Sequence, residues 1–158
     1  MASVSELKQI YLVQNLDDQM LQKLAPLAEK RDYEEKDILF EEGRDSEWFF
    51  MLLSGKVLLK VDVNPAVTIS LGAIKPGYSF GWSSLLEGMT YTSQAACAEP
   101  CEMLVLKGSA FKEVLNNDHT MGYQVMEGVV RIMENRLKRR TEQFVKTLRK
   151  QMEIWDLF

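Results

Sequence analysis

The feature that most constrains this chain is a succession of short β-prone runs set so closely that no helix-length segment lies between them. Ile38-Leu39-Phe40, Trp48 to Leu53, and residues 57–63, 67–74, 91–98 and 102–107 are rich in branched, aromatic and other apolar side chains. Gly43, Ser54-Gly55, Asn64-Pro65 and Lys75-Pro76-Gly77 punctuate them, and these are the residue types that set turns. A parallel pair needs a crossover of about a dozen residues or more. The spacing therefore predicts antiparallel strands folded as a sandwich or jelly-roll. One stretch, Ser83-Ser84-Leu85-Leu86-Glu87-Gly88, interrupts the pattern and has room for about one or two turns of helix. The expected class is mainly β with flanking helices: a jelly-roll (double-stranded β-helix) barrel with short N-terminal helices and a long C-terminal helix.

The flanks change period. Residues 1–36 read as helices packed on the barrel, one opening at Ser5 with Leu7, Ile10 and Tyr11 on its apolar face. A second carries Met20, Leu21, Leu24, Leu27 and Ala28 at helical spacing, with Asp17 as its N-cap. Residues 37–118 hold the barrel, its short internal helix and a capping helix (Phe111, Val114, Leu115) started by Ser109. Asn116-Asn117-Asp118 breaks that helix, and Asp118 or Thr120 caps the next. Residues 119–158 form a long helix and an apolar tail.

No proline occurs from Met121 to Met152, and Tyr123, Met126, Val130, Met133 and Leu137 recur at the alternating three-and-four spacing of a coiled-coil seam. Continuing the register puts Arg140 in the seam before Phe144, so the stripe drifts to Thr141, Phe144, Leu148 and Met152. A helix of about 30 residues extends about 45 Å, farther than its own barrel covers. A second copy is the expected partner for its stripe, which makes the chain a homodimer. Met152, Ile154, Trp155, Leu157 and Phe158 cluster at the end, either folding back on the dimer or offering a docking site to a partner protein.

Composition narrows the function classes. The chain is 46% hydrophobic and 27% charged, within the range of globular domains. No apolar run approaches the roughly 18 residues of a membrane span, and the N-terminus lacks a signal-peptide pattern. The expectation is a cytoplasmic protein without membrane insertion. Cys97 and Cys101 are spaced Cys-x3-Cys rather than the Cys-x2-Cys of zinc sites, and His119 is the sole histidine. No catalytic constellation, metal site or obligatory cofactor is expected, and the chain is read as a non-enzyme. Net charge is −4, yet residues 131–150 hold eight Lys or Arg against Glu134 and Glu142, a local +6. Such a block either attracts nucleic acid or anionic lipid or is a solvated helix face.

Taken in order, Asp37-Ile38-Leu39-Phe40-Glu41-Glu42-Gly43, the run Trp48 to Leu53 with Ser54-Gly55-Lys56-Val57, then Gly72 and Pro76-Gly77-Tyr78-Ser79-Phe80-Gly81 resemble a known family. It is the cyclic-nucleotide-binding domain shared by the catabolite activator protein family and the regulatory subunits of cyclic-nucleotide-dependent kinases. The resemblance covers about residues 5 to 140. It implies a regulatory ligand-sensing module whose ligand sits on the short internal helix. In the family's phosphate-binding cassette, Gly is followed by a Glu that binds the ribose hydroxyl, and a later Arg pairs with the cyclic phosphate.

The chain departs from that cassette. Phe80-Gly81 matches its start, but Trp82 stands in place of the glutamate, and Glu87 to Ala95 contains no arginine. Phe80, Gly81, Trp82, Ser83, Ser84, Leu85, Tyr91, Thr92 and Ser93 are the candidate ligand-binding residues. The amides and hydroxyls of Ser83 and Ser84 and the amide of Leu85 are left to receive an anion. Two arrangements fit: Trp82 and Tyr91 shape a cavity for an effector, a cyclic nucleotide or other small anion, or they fill the barrel and leave a ligand-free dimeric scaffold. The activator branch adds a helix-turn-helix after the long helix. This sequence reaches Phe158 without one, so sequence-specific DNA binding is not expected.

Overall fold

The computed structural model describes residues 1–155, with side-chain surroundings given through Met152. The chain opens with α1 (Val4–Leu7) and α2 (Asp18–Leu24), continued by a 3-10 turn at Ala25–Leu27. Ser3 rather than Ser5 caps α1, and Asp17 caps α2 as expected, its carboxylate accepting the Met20 N–H at 2.8 Å. Eight strands follow: β1 (Glu29–Tyr33), β2 (Ile38–Phe40), β3 (Trp48–Ser54), β4 (Val57–Asn64), β5 (Val67–Ile74), β6 (Ser79–Phe80), β7 (Gln94–Cys97) and β8 (Cys101–Lys107). Two helices follow, α3 (Gly108–Asn117) and the 37-residue α4 (His119–Trp155).

The strands form two four-stranded antiparallel sheets, ordered β1-β8-β3-β6 and β2-β7-β4-β5. Helical residues outnumber strand residues. Both facts correct the expected mainly β barrel: the fold is mixed α/β, and the sheets are not closed into a barrel. Each ladder simply ends at its edges. The edge strand β6 has two residues and β2 has three with a register shift between Ile38 and Phe40, too little to carry a ladder from one sheet into the other. Alternating apolar residues report which faces are buried, not whether the outermost strands find partners.

Layering explains why β3 is apolar along nearly its whole length. Phe50 and Leu52 join Phe80, Met103 and Val105 in a core between the sheets, with Val57, Ile74, Ala95 and Cys97 from the second sheet. Phe49 and Met51 point the other way, into a core shared with Leu7, Ile10, Leu21, Leu24, Phe111, Met121 and Val125 of the helices. A strand buried on both faces loses its polar alternation. The same first sheet contains β1, which replaces the helix expected to run to about Lys36. Its sequence, Glu29-Lys30-Arg31-Asp32-Tyr33, carries no apolar alternation; it pairs with the buried β8, and Lys30 bridges Glu6 at 3.1 Å and Glu102 at 3.0 Å.

Helix α3 begins at Gly108 with no side-chain cap, so Ser109 does not serve as one. Asp118 does cap α4, accepting the Met121 N–H at 3.0 Å, and Lys23 holds the same carboxylate at 2.6 Å. The first half of α4 lies on the helical core through Met121, Val125, Val129 and Ile132. Its other side carries the residues of the proposed seam. Tyr123, Met126, Val130 and Leu137 are all exposed, Leu137 at 68%, while Met133 is half-buried. Phe144, Leu148 and Met152 continue an exposed apolar stripe farther along. Ile154, Trp155, Leu157 and Phe158, named above as part of a terminal docking cluster, lie outside the residues whose side chains are described. No helix among the described residues is long and apolar enough to cross a membrane.

Candidate functional site

The site is built where β6 ends. Gly81 turns the chain with φ +81, a conformation that L side chains rarely adopt, and a Cβ there would stand 2.7 Å from the Trp48 carbonyl oxygen. A single 3-10 turn, Trp82–Leu85, follows. The chain then loops back to Tyr91, whose hydroxyl donates to the Trp48 carbonyl and accepts the Trp48 N–H, both at 2.9 Å. Burial pushes the Tyr91 phenol above its ordinary pKa, so it stays a neutral donor. Its ring stacks on Phe40 with centroids 3.8 Å apart. Tyr91 is thus a fixed wall.

Beside this wall lies a cleft of about 360 Å³. Phe80, Gly81, Trp82, Ser83, Tyr91, Thr92 and Ser93 line it, seven of the nine residues singled out in the sequence. Ser84 and Leu85 do not. Both are buried behind the turn, and the Ser84 amide and hydroxyl are spent on the Gly81 carbonyl, at 3.1 and 2.7 Å. The expectation that the turn offers Ser84 to an anion is therefore corrected: a 3-10 turn bonds its own third amide. Trp82 does not plug the cleft either. Its ring meets Phe49 edge-on at 5.1 Å, on the helical side of the sheet.

Four further lining residues come from α4: Met133, Arg136, Leu137 and Arg140. Sequence reasoning placed Met133 and Leu137 in a dimer seam, with Arg140 falling in the same register, and left the basic block as either an anion-attracting or a solvated face. The signal that could have found them was the Arg140 that falls in the seam register, one or two helical turns from Arg136, Leu137 and Met133. Phe40 and Leu59 also line the cleft and carried no such signal.

Charge in the cleft has one sign, because no acidic residue lines it. Arg136 donates to the Ser79 carbonyl at 3.1 Å, and its guanidinium carbon lies 5.9 Å from the centre of the Trp82 ring, within cation–π range. Among the described residues no carboxylate is within ion-pair distance of Arg136 or Arg140. Burial, then the neighbouring Arg140 charge, push the Arg136 guanidinium below its ordinary pKa. Two polar atoms nearby, the Trp82 indole N–H and the Ser79 hydroxyl, are buried without a hydrogen-bond partner. Arg136 and Arg140 also border a smaller hollow of about 240 Å³ with Lys75 and Arg139.

The cysteines lie elsewhere. Cys97 and Cys101 are both free and buried between the sheets, and burial, with Cys101 alongside, pushes the Cys97 thiol up to about 12. Such a thiol carries too little thiolate at neutral pH to act as a nucleophile. His119 is the exposed first residue of α4. Among the described residues no group of three or more His, Cys, Asp or Glu could hold a metal ion.

Residues 30–118 match the family model described as cyclic nucleotide-binding domain. The chain belongs to that family and is a non-catalytic, cyclic-nucleotide-binding-like module. An uncharacterized Mycobacterium tuberculosis protein is 34% identical over 93 residues, 59% of this chain, and the match spans only 17% of that relative's length. A crystal structure from Geobacter metallireducens, described as a candidate cyclic nucleotide-binding protein, is 26% identical with a TM-score of 0.75, covering 87% of this chain and 99% of that one. The regulatory subunit of a cAMP-independent protein kinase A from Trypanosoma brucei has a TM-score of 0.73 at 16% identity, over 89% of this chain and 50% of that one, a likeness of fold alone.

Proposed function

We propose that this chain is a ligand-sensing regulatory module whose cleft does not take cyclic AMP or cyclic GMP in the family's usual pose. The observation that carries this reading is an open cleft bounded by a cassette with Trp82 where the family has glutamate and no arginine between Trp82 and Ala95. Each missing charged contact is worth about 1.5–3 kcal/mol, so losing both weakens binding by about a thousandfold. Calorimetric titration of the protein with either nucleotide is expected to show no saturable binding in the micromolar range. A tight isotherm would overturn the reading. The Trypanosoma subunit belongs to a cAMP-independent kinase, which supports the use of this fold in regulation without that ligand.

Residues 119–158 act as the output in this reading. The exposed Tyr123, Met126, Val130 and Leu137 are assigned to a homodimer in which α4 meets its copy. Val130→Asp places a charge in the middle of that stripe and is expected to convert a dimer into a monomer in sedimentation velocity. A wild-type protein that sediments as a monomer at all concentrations would instead leave the stripe to a different partner.

A further inference from the structure

The cleft holds two guanidinium groups and no counter-charge, and both ride on α4 rather than on the cassette. Arg136 spends one hydrogen bond on Ser79 and keeps the rest of its five N–H donors. An unpaired, half-buried guanidinium is unfavourable in the empty protein and becomes favourable once an anion sits beside it. The Trp82 indole N–H, buried and unpartnered, belongs to a residue that lines the same cleft. The apolar part of the lining is Phe40 and Leu59 from the strands, Tyr91 from the loop before β7, and Met133 and Leu137 from α4.

Two cations are matched by an anion carrying close to two charges. A phosphate monoester carries about −1.5 to −2 at neutral pH, whereas the cyclic phosphodiester of the family's nucleotides carries a single charge. A cleft of about 360 Å³ falls at the small end of ligand sites, enough for one ring system and its phosphate. We propose that the cleft binds a phosphate monoester borne on an apolar ring, with Arg136 and Arg140 of α4 supplying the positive charge that the cassette lacks. This rests on the reading of the chain as a ligand-sensing module. Bound there, the anion joins the long helix to the Trp82–Leu85 turn and holds the two arginines together against their mutual repulsion.

Phenyl phosphate is the probe, and the indole N–H resonance of Trp82 in a nitrogen-15 spectrum is the readout. The resonance is expected to move saturably with phenyl phosphate and at much higher concentration with inorganic phosphate, which lacks the ring. Arg136→Gln and Arg140→Gln should each weaken phenyl phosphate about tenfold or more. Arg139→Gln removes the same charge from the same helix but faces only the neighbouring hollow, and should change the affinity about twofold or less. Removing the unpaired Arg136 charge should leave the melting temperature unchanged or higher, and Arg140, on an exposed turn, provides a second test in a folded protein.

Absence of a saturable shift would overturn the proposal, as would equal weakening by Arg136→Gln and Arg139→Gln. Cyclic AMP is titrated in parallel. If it binds at micromolar concentration with no dependence on Arg136, the reading of the degenerate cassette fails, while the phenyl phosphate series still decides the role of the arginines.

Discussion

Alanine at Gly108 is expected to lower the melting temperature by about 2–12 °C. Gly108 is the first residue of α3, and a Cβ there would lie 2.1 Å from the Ser84 carbonyl oxygen and 2.6 Å from the Ser84 Cβ. The obstacle is backbone in a turn that is itself buried, so neither partner yields by swinging a side chain. Overpacking of this kind costs about 1–3 kcal/mol and occasionally more, and in a domain of this size each kcal/mol shifts the midpoint by about 2–4 °C. Scanning calorimetry reads the shift directly; an unchanged midpoint would show that α3 and the turn are looser than the geometry states. The contact bears on the site too, since Ser83, on the cleft wall, is the neighbour of the residue that would have to move.

A comparable loss is expected from Phe49→Ala. Phe49 has no exposed surface, and its ring lies 5.1 Å from Trp82 and 5.3 Å from Phe111, where β3 meets the helices. Truncating a buried phenylalanine costs about 3–5 kcal/mol, part transfer and part cavity. Urea unfolding followed by circular dichroism should show the midpoint moving to lower denaturant at constant slope. The Trp82 indole resonance should move as well, because Phe49 meets that ring edge-on. A midpoint within error of wild type would mean that the helical layer closes over the gap without loss.

The two substitutions also mark what the sequence made legible. The apolar run Trp48 to Leu53 announced a buried strand, and Phe80-Gly81 announced the turn that opens the site, because glycine is the residue that accepts φ near +80 without strain. Asp17 was readable as a cap since its carboxylate needs only the chain three residues on. Gly108 was not readable, for its constraint is a carbonyl 24 positions earlier in the chain. Nor was β1, a charged segment that becomes a strand because β8 offers it a ladder and Glu6 and Glu102 compensate Lys30.

Barrel closure failed as an expectation for a related reason. Strand alternation describes one sheet face at a time, whereas closure depends on edge strands as short as Ser79–Phe80. In the cleft, the sequence displayed the cassette contiguously and so gave seven of its lining residues. Arg136 was visible only as part of a basic helix and Arg140 only as a break in the seam, because one helical face looks the same from the sequence whether water or a binding cleft lies against it.

The position of Met133, Arg136, Leu137 and Arg140 has a consequence for regulation. These four cleft residues belong to α4, while the remaining wall belongs to the strands and to the turn and loops that join them, so the cleft is complete only while the helix is docked. In the proposed reading of the chain as a ligand sensor, a protein that takes hold of α4 and tilts it changes the affinity of the cleft. By thermodynamic reciprocity, an occupant of the cleft changes the affinity of that protein by the same factor, and couplings of about 1–3 kcal/mol correspond to about 5–150-fold. Sensor and lever are then one object: grip on the helix and occupancy of the cleft are two readings of a single equilibrium.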